Sequence, residues 1–439
     1  MYDAIIIGGG PSGVAAATRV GQLGGKACII EREFLGGVCS NWGCIPTKAM
    51  IASARLVCES VDSERFGVKL TANIDFNKVI WHRDNEIKKS RDVMKHVIEK
   101  NNVILVVGEG KLVDKNTVSV NGQEMKARNI IISTGSQSTY PPFVKLSEKV
   151  LTSKEMTEIR ELPKNLVIMG GGVIGVEFAT IFKNLGSNVT IVEMTQGLIE
   201  NEDKEIGECL ADEFRKAGIR LLLGTRAKEI NENFVITDKE NISYDYVLVA
   251  TGRRPILDEE ILNKLKIKYT KNGVEVNDYM QTNIKNIYCI GDTTGKSILA
   301  HVGVRQGIVA ANNIMGKWEK MSYIIPRCVY SIPEIACVGK TEKEAKNPKT
   351  ATVYFKDNAR ASLEGKDAGF VKVILEGDYL AGMLSIGNNV TEIINEATIM
   401  IEKKIKVKDA IRIIHPHPTI SETFKYAMQK VCNELVEIP

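Results

Sequence analysis

The sequence predicts an α/β protein with two Rossmann-like domains and a smaller C-terminal α+β domain. An apolar strand, a Gly-x-Gly-x-x-Gly turn and a helix follow one another twice, and the two turns begin at Gly8 and Gly170. From Met321 onward the predicted strands are shorter and helices accompany them. At 439 residues the chain exceeds the size of one hydrophobic core, so several domains are expected.

The first glycine turn follows a predicted strand over residues 2–7 and leads into a helix and a second strand over 27–30. In this order, backbone amides at the helix N-terminus approach a pyrophosphate, while a carboxylate after the second strand accepts ribose hydroxyls. The stretch predicts a dinucleotide site, and the alternative is that its glycines only pack the helix against the strand. The residues of the pattern are Gly8, Gly10, Gly13 and Glu31.

The second glycine turn repeats this arrangement after a strand over 166–169, and the strand over 189–192 again ends in a carboxylate. Two further strands resemble each other, because the first ends in Thr134-Gly135 and the second in Thr251-Gly252. A second dinucleotide site on the same chain is therefore predicted. Its residues are Gly170, Gly172, Gly175 and Glu193. Thr134, Gly135 and Gly252, at the ends of the two similar strands, are further candidate cofactor-binding residues.

Asp292 follows a further predicted strand over 286–290 and has two interpretations. Its carboxylate can reach the ribityl or phosphate groups of a bound dinucleotide, or it can cap a helix predicted to begin near Ser297. The residues alone favour the helix cap.

Two cysteines five positions apart, Cys39 and Cys44, lie in a glycine-rich stretch over 36–48. An ideal helix would hold their Cα atoms about 8 to 9 Å apart, which is more than a disulfide normally spans. A bridge therefore needs a distorted turn, which glycines at 36, 37 and 43 permit. Pro46 favours the first turn of a helix, so Cys44 is expected beside the helix N-terminus, where partial positive charge favours a thiolate.

Other interpretations of the pair are weaker. Two unrelated buried thiols would not need surrounding glycines. A zinc site would require Cys-x-x-Cys or a neighbouring histidine, and the stretch over 36–48 contains neither, so no metal is expected. A structural disulfide would be expected only if the protein resides in an oxidising compartment.

Composition and charge describe an ordinary globular protein, with 44% hydrophobic residues and a net charge of +4. The chain has no long basic block, so nucleic acid binding is not expected. The lysines over 403–408 are interpreted as a solvated face, and a docking patch for an acidic partner is the weaker alternative. The apolar run over 166–182 contains glycines and Glu177 and does not predict a membrane span. Nine cysteines and a strand starting directly after Met1 lead us to expect a reducing, cytoplasmic location, where the cysteine pair is a redox device rather than a structural disulfide.

A third motif, His-Pro-His-Pro-Thr-Ile-Ser-Glu over 415–422, lies in the C-terminal region. Its two prolines favour an extended backbone around His417. Glu422 is placed to hydrogen-bond one imidazole nitrogen and leave the other as a base. An ordinary surface loop is the alternative, and a base is needed only if the cysteines are reactive.

Together these motifs resemble the dihydrolipoamide dehydrogenase branch of the flavin-dependent pyridine nucleotide disulfide oxidoreductases. The resemblance covers essentially the whole chain, and Asn-Ala-Arg-Ala over 358–361 also matches. It implies an FAD-binding domain over 1–145 and 277–320, an NAD-binding domain over 146–276 and a C-terminal dimerisation domain over 321–439. Trp42 departs from the family pattern, in which the residue beside the disulfide is smaller.

The resemblance also implies roles for individual residues. Gly8, Gly10, Gly13, Glu31 and Asp292 would bind FAD, which replaces the helix-cap interpretation of Asp292. Gly172, Gly175 and Glu193 would bind NAD, and a carboxylate at 193 would repel the extra phosphate of NADP. The remaining implied site residues are Cys39 and Cys44 as the redox-active disulfide, His417 and Glu422 as the base pair, and Lys48 and Glu177 near the flavin.

The implied activity is oxidation of a dihydrolipoyl group with reduction of NAD. The implied partners are a second copy of the chain, which would supply the base, and a lipoyl-bearing protein of a 2-oxoacid dehydrogenase or glycine cleavage system. The alternatives are another flavin disulfide reductase, such as one acting on glutathione, and a non-enzymatic flavoprotein subunit.

Overall fold

The computed structural model describes residues Met1–Ile438 and confirms the predicted fold class, with two Rossmann-like units and a C-terminal α+β unit. The first unit is built on a sheet with strand order β3-β2-β1-β6-β5-β4. Its elements are β1 (Tyr2–Ile7), α1 (Pro11–Gln22), β2 (Ala27–Glu31), α2 (Gly37–Trp42), α3 (Cys44–Val61), α4 (Phe76–Lys100), β3 (Ile104–Val107), β4 (Lys111–Asp114), β5 (Thr117–Val120), β6 (Gln123–Ile132) and β7 (Ser136–Ser138), with a 3₁₀ turn at Ser63–Phe66.

The second unit is a parallel five-stranded sheet with order β11-β10-β9-β15-β8. Its elements, with a small antiparallel sheet formed by the last three strands before β15, are β8 (Val150–Thr152), α5 (Ser153–Thr157), β9 (Asn165–Met169), α6 (Val173–Asn184), β10 (Asn188–Val192), α7 (Lys204–Lys216), β11 (Arg220–Leu222), β12 (Ala227–Ile230), β13 (Phe234–Thr237), β14 (Asn241–Ser243) and β15 (Tyr246–Val249). The next elements, β16 (Arg253–Pro255), α8 (Glu259–Lys264), β17 (Tyr269–Thr270) and β18 (Gly273–Val274), lie against the first unit: β16 pairs with β7, and Leu262, Ile267 and Val274 share a core with the first sheet.

The chain then returns to the first sheet and finishes in a third unit. The returning elements are β19 (Ile287–Cys289), a 3₁₀ turn at Gly291–Thr294, and α9 (Ala300–Ile314). The C-terminal sheet is antiparallel with order β20-β21-β24-β23-β22. Its elements are β20 (Arg327–Val329), β21 (Glu334–Gly339), β22 (Lys349–Tyr354), a 3₁₀ turn at Phe355–Asp357, α10 (Ala359–Leu363), β23 (Phe370–Glu376), β24 (Tyr379–Gly387), α11 (Val390–Lys403), α12 (Val407–Ala410) and α13 (Glu422–Val431).

The first strand shows why the sequence forms these sheets. Ala4 to Ile7 are apolar and buried, and β1 pairs in parallel with β2 on one side and β6 on the other. Continuous apolar residues are typical of a parallel strand covered on both faces. Because β19 also pairs in parallel with β6, Asp292 emerges at the same sheet edge as the first glycine turn.

Two helix starts bear on the sequence prediction and its physical basis. Helix α4 begins at Phe76, because Asp75 accepts a hydrogen bond from the Lys78 amide and caps the helix. The helix expected near Ser297 begins at Ala300. Among residues 1–438, no helix combines the length and apolar character that a membrane crossing requires.

Buried charges fasten the third unit to the second. Arg327 of β20 forms two hydrogen bonds of 2.6 and 2.8 Å with Glu202. Lys372 of β23 exposes 5% of its side chain and pairs with Glu205 at 3.1 Å and Glu342 at 2.5 Å. A lysine buried to this degree needs such carboxylate partners, so these contacts fix the C-terminal sheet against the start of α7.

Candidate active site

The two cysteines lie on either side of a break between two helices. Cys39 is inside α2 and Cys44 is the first residue of α3, with Gly43 at φ −134° and ψ −107° between the helices. Gly36 starts α2 in the left-handed region at φ 93°, and its amide donates to the Gly9 carbonyl at 2.8 Å. The glycines therefore bend the chain as predicted and bring the cysteine segment onto the first glycine turn.

The two cysteines are not bridged, and the interaction between their side chains is the largest influence on the pKa of each thiol. This interaction raises the pKa of the Cys39 thiol and is the main cause that lowers the pKa of Cys44. Burial opposes the shift at Cys44, whereas the positive charge of Lys48 adds to it. Of the two cysteines, Cys44 is therefore the one whose thiolate form the site favours.

Lys48 lies one turn after Cys44 and forms an ion pair with Glu177 of α6. Its Nζ atom lies 2.9 Å from both carboxylate oxygens, and the Glu177 side chain is 6% exposed. The same carboxylate accepts a hydrogen bond of 3.0 Å from the Tyr330 amide, and Lys48 lies 4.6 Å from the centre of the Tyr330 ring. All three units therefore meet beside the reactive thiolate.

The first glycine turn has the shape that a dinucleotide requires. A side chain on Gly8 would overlap the Ser133 carbonyl, and one on Gly13 would overlap the Gly8 carbonyl, so both positions need glycine for close packing. A Cβ on Gly10 would instead project into space left open by the described residues, at the N-terminus of α1, which none of their side chains caps. Glu31 borders this space and accepts the Gly9 amide at 2.7 Å. An uncapped helix N-terminus beside a carboxylate fits a pyrophosphate and its ribose.

The second glycine turn repeats these contacts. A Cβ added to Gly170 would clash with the Ala250 carbonyl, and one added to Gly175 would clash with the Gly170 carbonyl. A Cβ on Gly172 would instead meet open space in the described part of the chain. Glu193 accepts the Gly171 amide at 2.6 Å and the Thr195 amide at 2.7 Å. The two turns therefore have the same construction, and each fits a dinucleotide.

Asp292 belongs to a buried network and does not cap a helix. Its carboxylate accepts a hydrogen bond of 2.5 Å from Ser136 Oγ, and Arg253 donates to Ser136 Oγ at 2.9 Å and to the Ser136 carbonyl at 2.8 Å. Helix α9 begins at Ala300 after Leu299, so the cap interpretation is wrong. Burial raises the pKa of Asp292 and lowers that of Arg253.

Thr134, Gly135 and Gly252 join the ends of the two nucleotide sheets. Thr134 Oγ1 donates to the Ile256 carbonyl at 2.8 Å, and the Gly135 amide donates to Thr293 Oγ1 at 2.8 Å. Gly252 accepts from the Thr139 amide at 2.9 Å, and the segments that follow pair as β7 and β16. The Thr134 hydroxyl and the backbones of Gly135 and Gly252 are therefore engaged in contacts between separate segments of the chain.

His417 and Glu422 form the predicted pair. Glu422 Oε1 lies 3.0 Å from His417 Nδ1 and 3.2 Å from the Tyr426 hydroxyl, and Oε2 accepts the Thr419 amide at 2.8 Å. The carboxylate is buried at 4% exposure, whereas the His417 side chain is 67% exposed. Glu422 therefore holds one ring nitrogen, and the imidazole faces outward with its other nitrogen available.

His415 has a different environment. Its Nε2 atom lies 2.9 Å from Glu396 and its Nδ1 atom 3.1 Å from the Ile413 carbonyl, so both ring nitrogens are engaged. Of the two histidines in the motif, only His417 is arranged as a base.

The structure brings most of the predicted site together within one chain, but not all of it. The cysteines, Lys48 and Glu177 lie beside the glycine turns, whereas no hydrogen bond or ion pair within residues 1–438 joins the His417–Glu422 pair to either sulfur. Sequence reasoning missed Ser136 and Arg253. Arg253 directly follows the recognised Thr-Gly pair, which was the available signal.

Two family models match the chain. The model described as pyridine nucleotide-disulphide oxidoreductase matches residues 2–307, and the model described as the dimerisation domain of that family matches residues 325–428. The matches divide the chain near the point where the third unit begins.

Full-length relatives agree with these matches. The chain is 34% identical to the dihydrolipoyl dehydrogenase of Mycobacterium leprae, with 99% of each chain covered. It is 36% identical to that of Geobacillus stearothermophilus, covering 96% of this chain and 94% of the relative.

Solved structures share the fold. The HOCl-induced flavoprotein disulfide reductase RclA of Escherichia coli matches with a TM-score of 0.87 at 25% identity, covering 98% of this chain and 99% of that one. LpdA of Mycobacterium tuberculosis matches with a TM-score of 0.90 at 22% identity and the same coverage, which bears on the fold alone. With an open nucleotide turn in each Rossmann-like unit and a dithiol beside the first, the chain belongs to the pyridine nucleotide-disulphide oxidoreductase family.

Proposed function

We propose that the chain is a dihydrolipoyl dehydrogenase that oxidises dihydrolipoyl groups through Cys39 and Cys44 and reduces NAD. The observation that carries this proposal is the position of the cysteine pair, which lies on either side of the Gly43 break between α2 and α3 and is joined to the first glycine turn through the Gly36 amide. The lowered pKa of Cys44 agrees with it. Full-length relatives at 34% and 36% identity carry the same activity in their names.

FAD and NAD are the cofactors of this family, as the sequence predicts. We propose that Gly8, Gly10, Gly13 and Glu31 hold FAD together with Asp292, and that Gly172, Gly175 and Glu193 hold NAD. When bound, FAD supplies the two-electron relay between sulfur and the pyridine nucleotide. The protein supplies position, charge and proton transfer.

The proposed exchange begins with proton removal from the substrate. His417 Nε2 takes a proton from one thiol of the dihydrolipoyl group, while Glu422 holds Nδ1–H and stabilises the resulting imidazolium. The substrate thiolate attacks Cys39 in the oxidised pair, so the Cys39–Cys44 bond breaks and a mixed disulfide with Cys39 forms. Cys44 leaves as a thiolate, which the charge of Lys48 stabilises.

The second substrate thiol completes the exchange. It loses its proton as it attacks the substrate sulfur of the mixed disulfide, which closes the lipoyl ring and breaks the bond to Cys39. Cys39 leaves as a thiolate and takes up that second proton, while the first proton remains on His417. The product pair is a Cys39 thiol beside a Cys44 thiolate. The raised pKa of Cys39 and the lowered pKa of Cys44 favour this distribution of the proton.

We propose that the active enzyme is a homodimer in which His417 acts on the cysteine pair of the other subunit. The match to a dimerisation domain over 325–428 supports this. Further support comes from the exposed apolar side chains before the motif, because Ile413 is 58% and Ile414 is 93% exposed. Such surface is unfavourable in water and favours a protein partner.

The remaining assignments are also proposals. We infer a lipoyl-bearing protein as the natural substrate and a cytoplasmic location, because nine free cysteines are typical of a reducing compartment. We further propose an FAD-binding domain over 1–145 and 277–320, an NAD-binding domain over 146–276 and an interface domain over 321–439. The pairing of β19 with β6 supports the discontinuous first domain.

The test is an assay of the FAD-loaded protein with NAD and dihydrolipoamide, compared with NADPH and glutathione disulfide. Turnover of dihydrolipoamide alone supports the proposal, and turnover of glutathione disulfide alone would replace it. Cys39→Ser and Cys44→Ser should each abolish dihydrolipoamide oxidation but keep electron transfer from NADH to ferricyanide, which needs no sulfur pair. Cys209→Ser is the matched control and should leave both activities unchanged.

A further inference from the structure

Trp42 lies between the two cysteines and is covered by protein atoms. It exposes 9% of its surface, although its neighbour Val38 on the same short helix is 37% exposed. The indole therefore offers little area to a thiol substrate. Its role must come from the residues that cover it.

Phe34 of the first unit lies beside the indole, with 6.2 Å between the ring centres, and two further residues come from the second Rossmann-like unit. The indole Nε1 donates a hydrogen bond of 2.8 Å to Glu158 Oε1, directly after α5, and Lys154 Nζ of α5 lies 4.0 Å from the centre of the ring. Helix α5 follows β8, an edge strand of the parallel sheet that carries the second glycine turn. Trp42 thus connects the turn between the cysteines to the unit proposed to bind NAD.

The two residues before Trp42 are held from the opposite side. Ser40 accepts a hydrogen bond of 3.0 Å from Ser90 of α4, and Asn41 accepts one from Arg91 of the same helix. Helix α4 belongs to the first unit. Trp42 ends this short run with its hydrogen bond to Glu158, and only Gly43 separates it from Cys44.

We propose that Trp42 and Glu158 form a clamp between the two nucleotide-binding units that positions Cys44 against Cys39. Trp42 is a positioning residue and acts through the backbone of Gly43. Because Gly43 has no side chain, its broken-helix conformation is fixed mainly by what holds its neighbours. The inference rests on the proposed function, since it assigns the clamp to the same sulfur exchange.

The clamp predicts a measurable property of the reduced pair. If Trp42 is released, the contact between Cys39 and Cys44 loosens, and Cys44 loses the main influence that lowers its pKa. Losing part of that influence raises the pKa of Cys44 by about one unit. The charged or titratable groups that face Cys44 are Cys39, Lys48, Glu177 and Arg253. Those that face Trp42 are Lys154 and Glu158. Of these groups, only Glu158 is changed in the variants described below.

The experiment measures alkylation of the reduced holoenzyme by iodoacetamide as a function of pH, with the Cys39–Cys44 peptide quantified by mass spectrometry. Trp42→Phe keeps the ring but removes the N–H donor, and Glu158→Ala removes the acceptor at an exposed position. Both should move the alkylation midpoint of Cys44 upward by about one pH unit and lower kcat for dihydrolipoamide about tenfold, with KM changed less than about twofold. Glu158→Gln keeps an acceptor oxygen and should restore the wild-type midpoint.

Controls and a double variant decide the outcome. Glu161→Ala, three residues further on and also exposed, should behave as wild type. Trp42→Phe combined with Glu158→Ala should shift the midpoint no more than either change alone, because both remove one contact. An unchanged midpoint in Glu158→Ala, or additive shifts in the double variant, would overturn the clamp. A wild-type enzyme that fails to oxidise dihydrolipoamide would overturn the proposed function instead, while the alkylation result would still report on the clamp.

Discussion

Replacing Glu422 with Gln tests whether this carboxylate prepares His417 for proton transfer. The change keeps the shape of the side chain but removes the charge that faces His417 Nδ1 at 3.0 Å. Glutamine can also present its amide N–H₂ to the ring, which would favour the wrong tautomer. We therefore expect slower oxidation of dihydrolipoamide with little change in the binding of NAD.

The expected size follows from the contacts. A hydrogen bond to an ionised group is worth about 1.5 to 3 kcal/mol, which corresponds to a fall in kcat of about 10- to 150-fold. His417→Gln removes the base itself and should cost about 10²- to 10⁴-fold. The loss in Glu422→Gln should therefore be smaller than, or at most similar to, the loss in His417→Gln.

The assay is steady-state reduction of NAD by dihydrolipoamide, with FAD content and the thermal midpoint measured on each variant. Glu396→Gln is a matched control, because Glu396 pairs with His415 at 2.9 Å and both ring nitrogens of His415 are already engaged. It should keep a rate near that of the wild type. A normal rate in Glu422→Gln, or an equal loss in Glu396→Gln, would refute the assignment of the base pair.

Three further predictions concern the other parts of the site. A valine side chain at Gly10 or Gly172 would not clash with protein but would occupy the open space proposed to hold the dinucleotide. Gly10→Val should therefore fold without FAD, which absorbance measures, and Gly172→Val should keep FAD but lose NAD binding, which titration with NAD measures. Alkylation of the reduced protein as a function of pH should show that Cys44 ionises below pH 9.0, the ordinary pKa of a thiol, because its pKa is lowered. Cys39 should remain protonated above pH 9.0, because its pKa is raised. Lys48→Met should reduce the free energy of unfolding in urea by about 2 kcal/mol, since it leaves a buried carboxylate without its cation while Lys48 itself is 34% exposed.

Local patterns in the sequence were sufficient for the nucleotide turns and for the histidine pair. Each Gly-x-Gly-x-x-Gly lies between a strand and a helix, and the carboxylate that borders it follows the next strand, so Glu31 and Glu193 could be placed from spacing alone. Glu422 lies only five residues from His417, and the start of α13 brings the two side chains together. Residues close in sequence are constrained by the backbone geometry of one element.

Contacts between distant segments could not be predicted in this way. Ser136, Arg253 and Asp292 form one network although 117 and 156 positions separate the partners, and the pairing of β7 with β16 that unites them has no signature in either segment. The helix-cap interpretation of Asp292 failed for the same reason, because a local rule was applied to a side chain whose partner lies in another segment. Trp42 likewise gave no local sign of its contact with Glu158.

Helix α3 explains how one short segment serves all three units. Cys44, Lys48 and Arg55 are separated by four and seven residues, a spacing that places them along one face of the helix. Lys48 reaches Glu177 of the second unit, and Arg55 pairs with Glu334 of the C-terminal sheet at 2.5 Å. Because one helix carries both ion pairs, α3 and the Cys44 sulfur move together with the second unit and the C-terminal sheet. The sulfur at the start of α3 therefore keeps its position relative to these units, whereas a sulfur on a free loop would not.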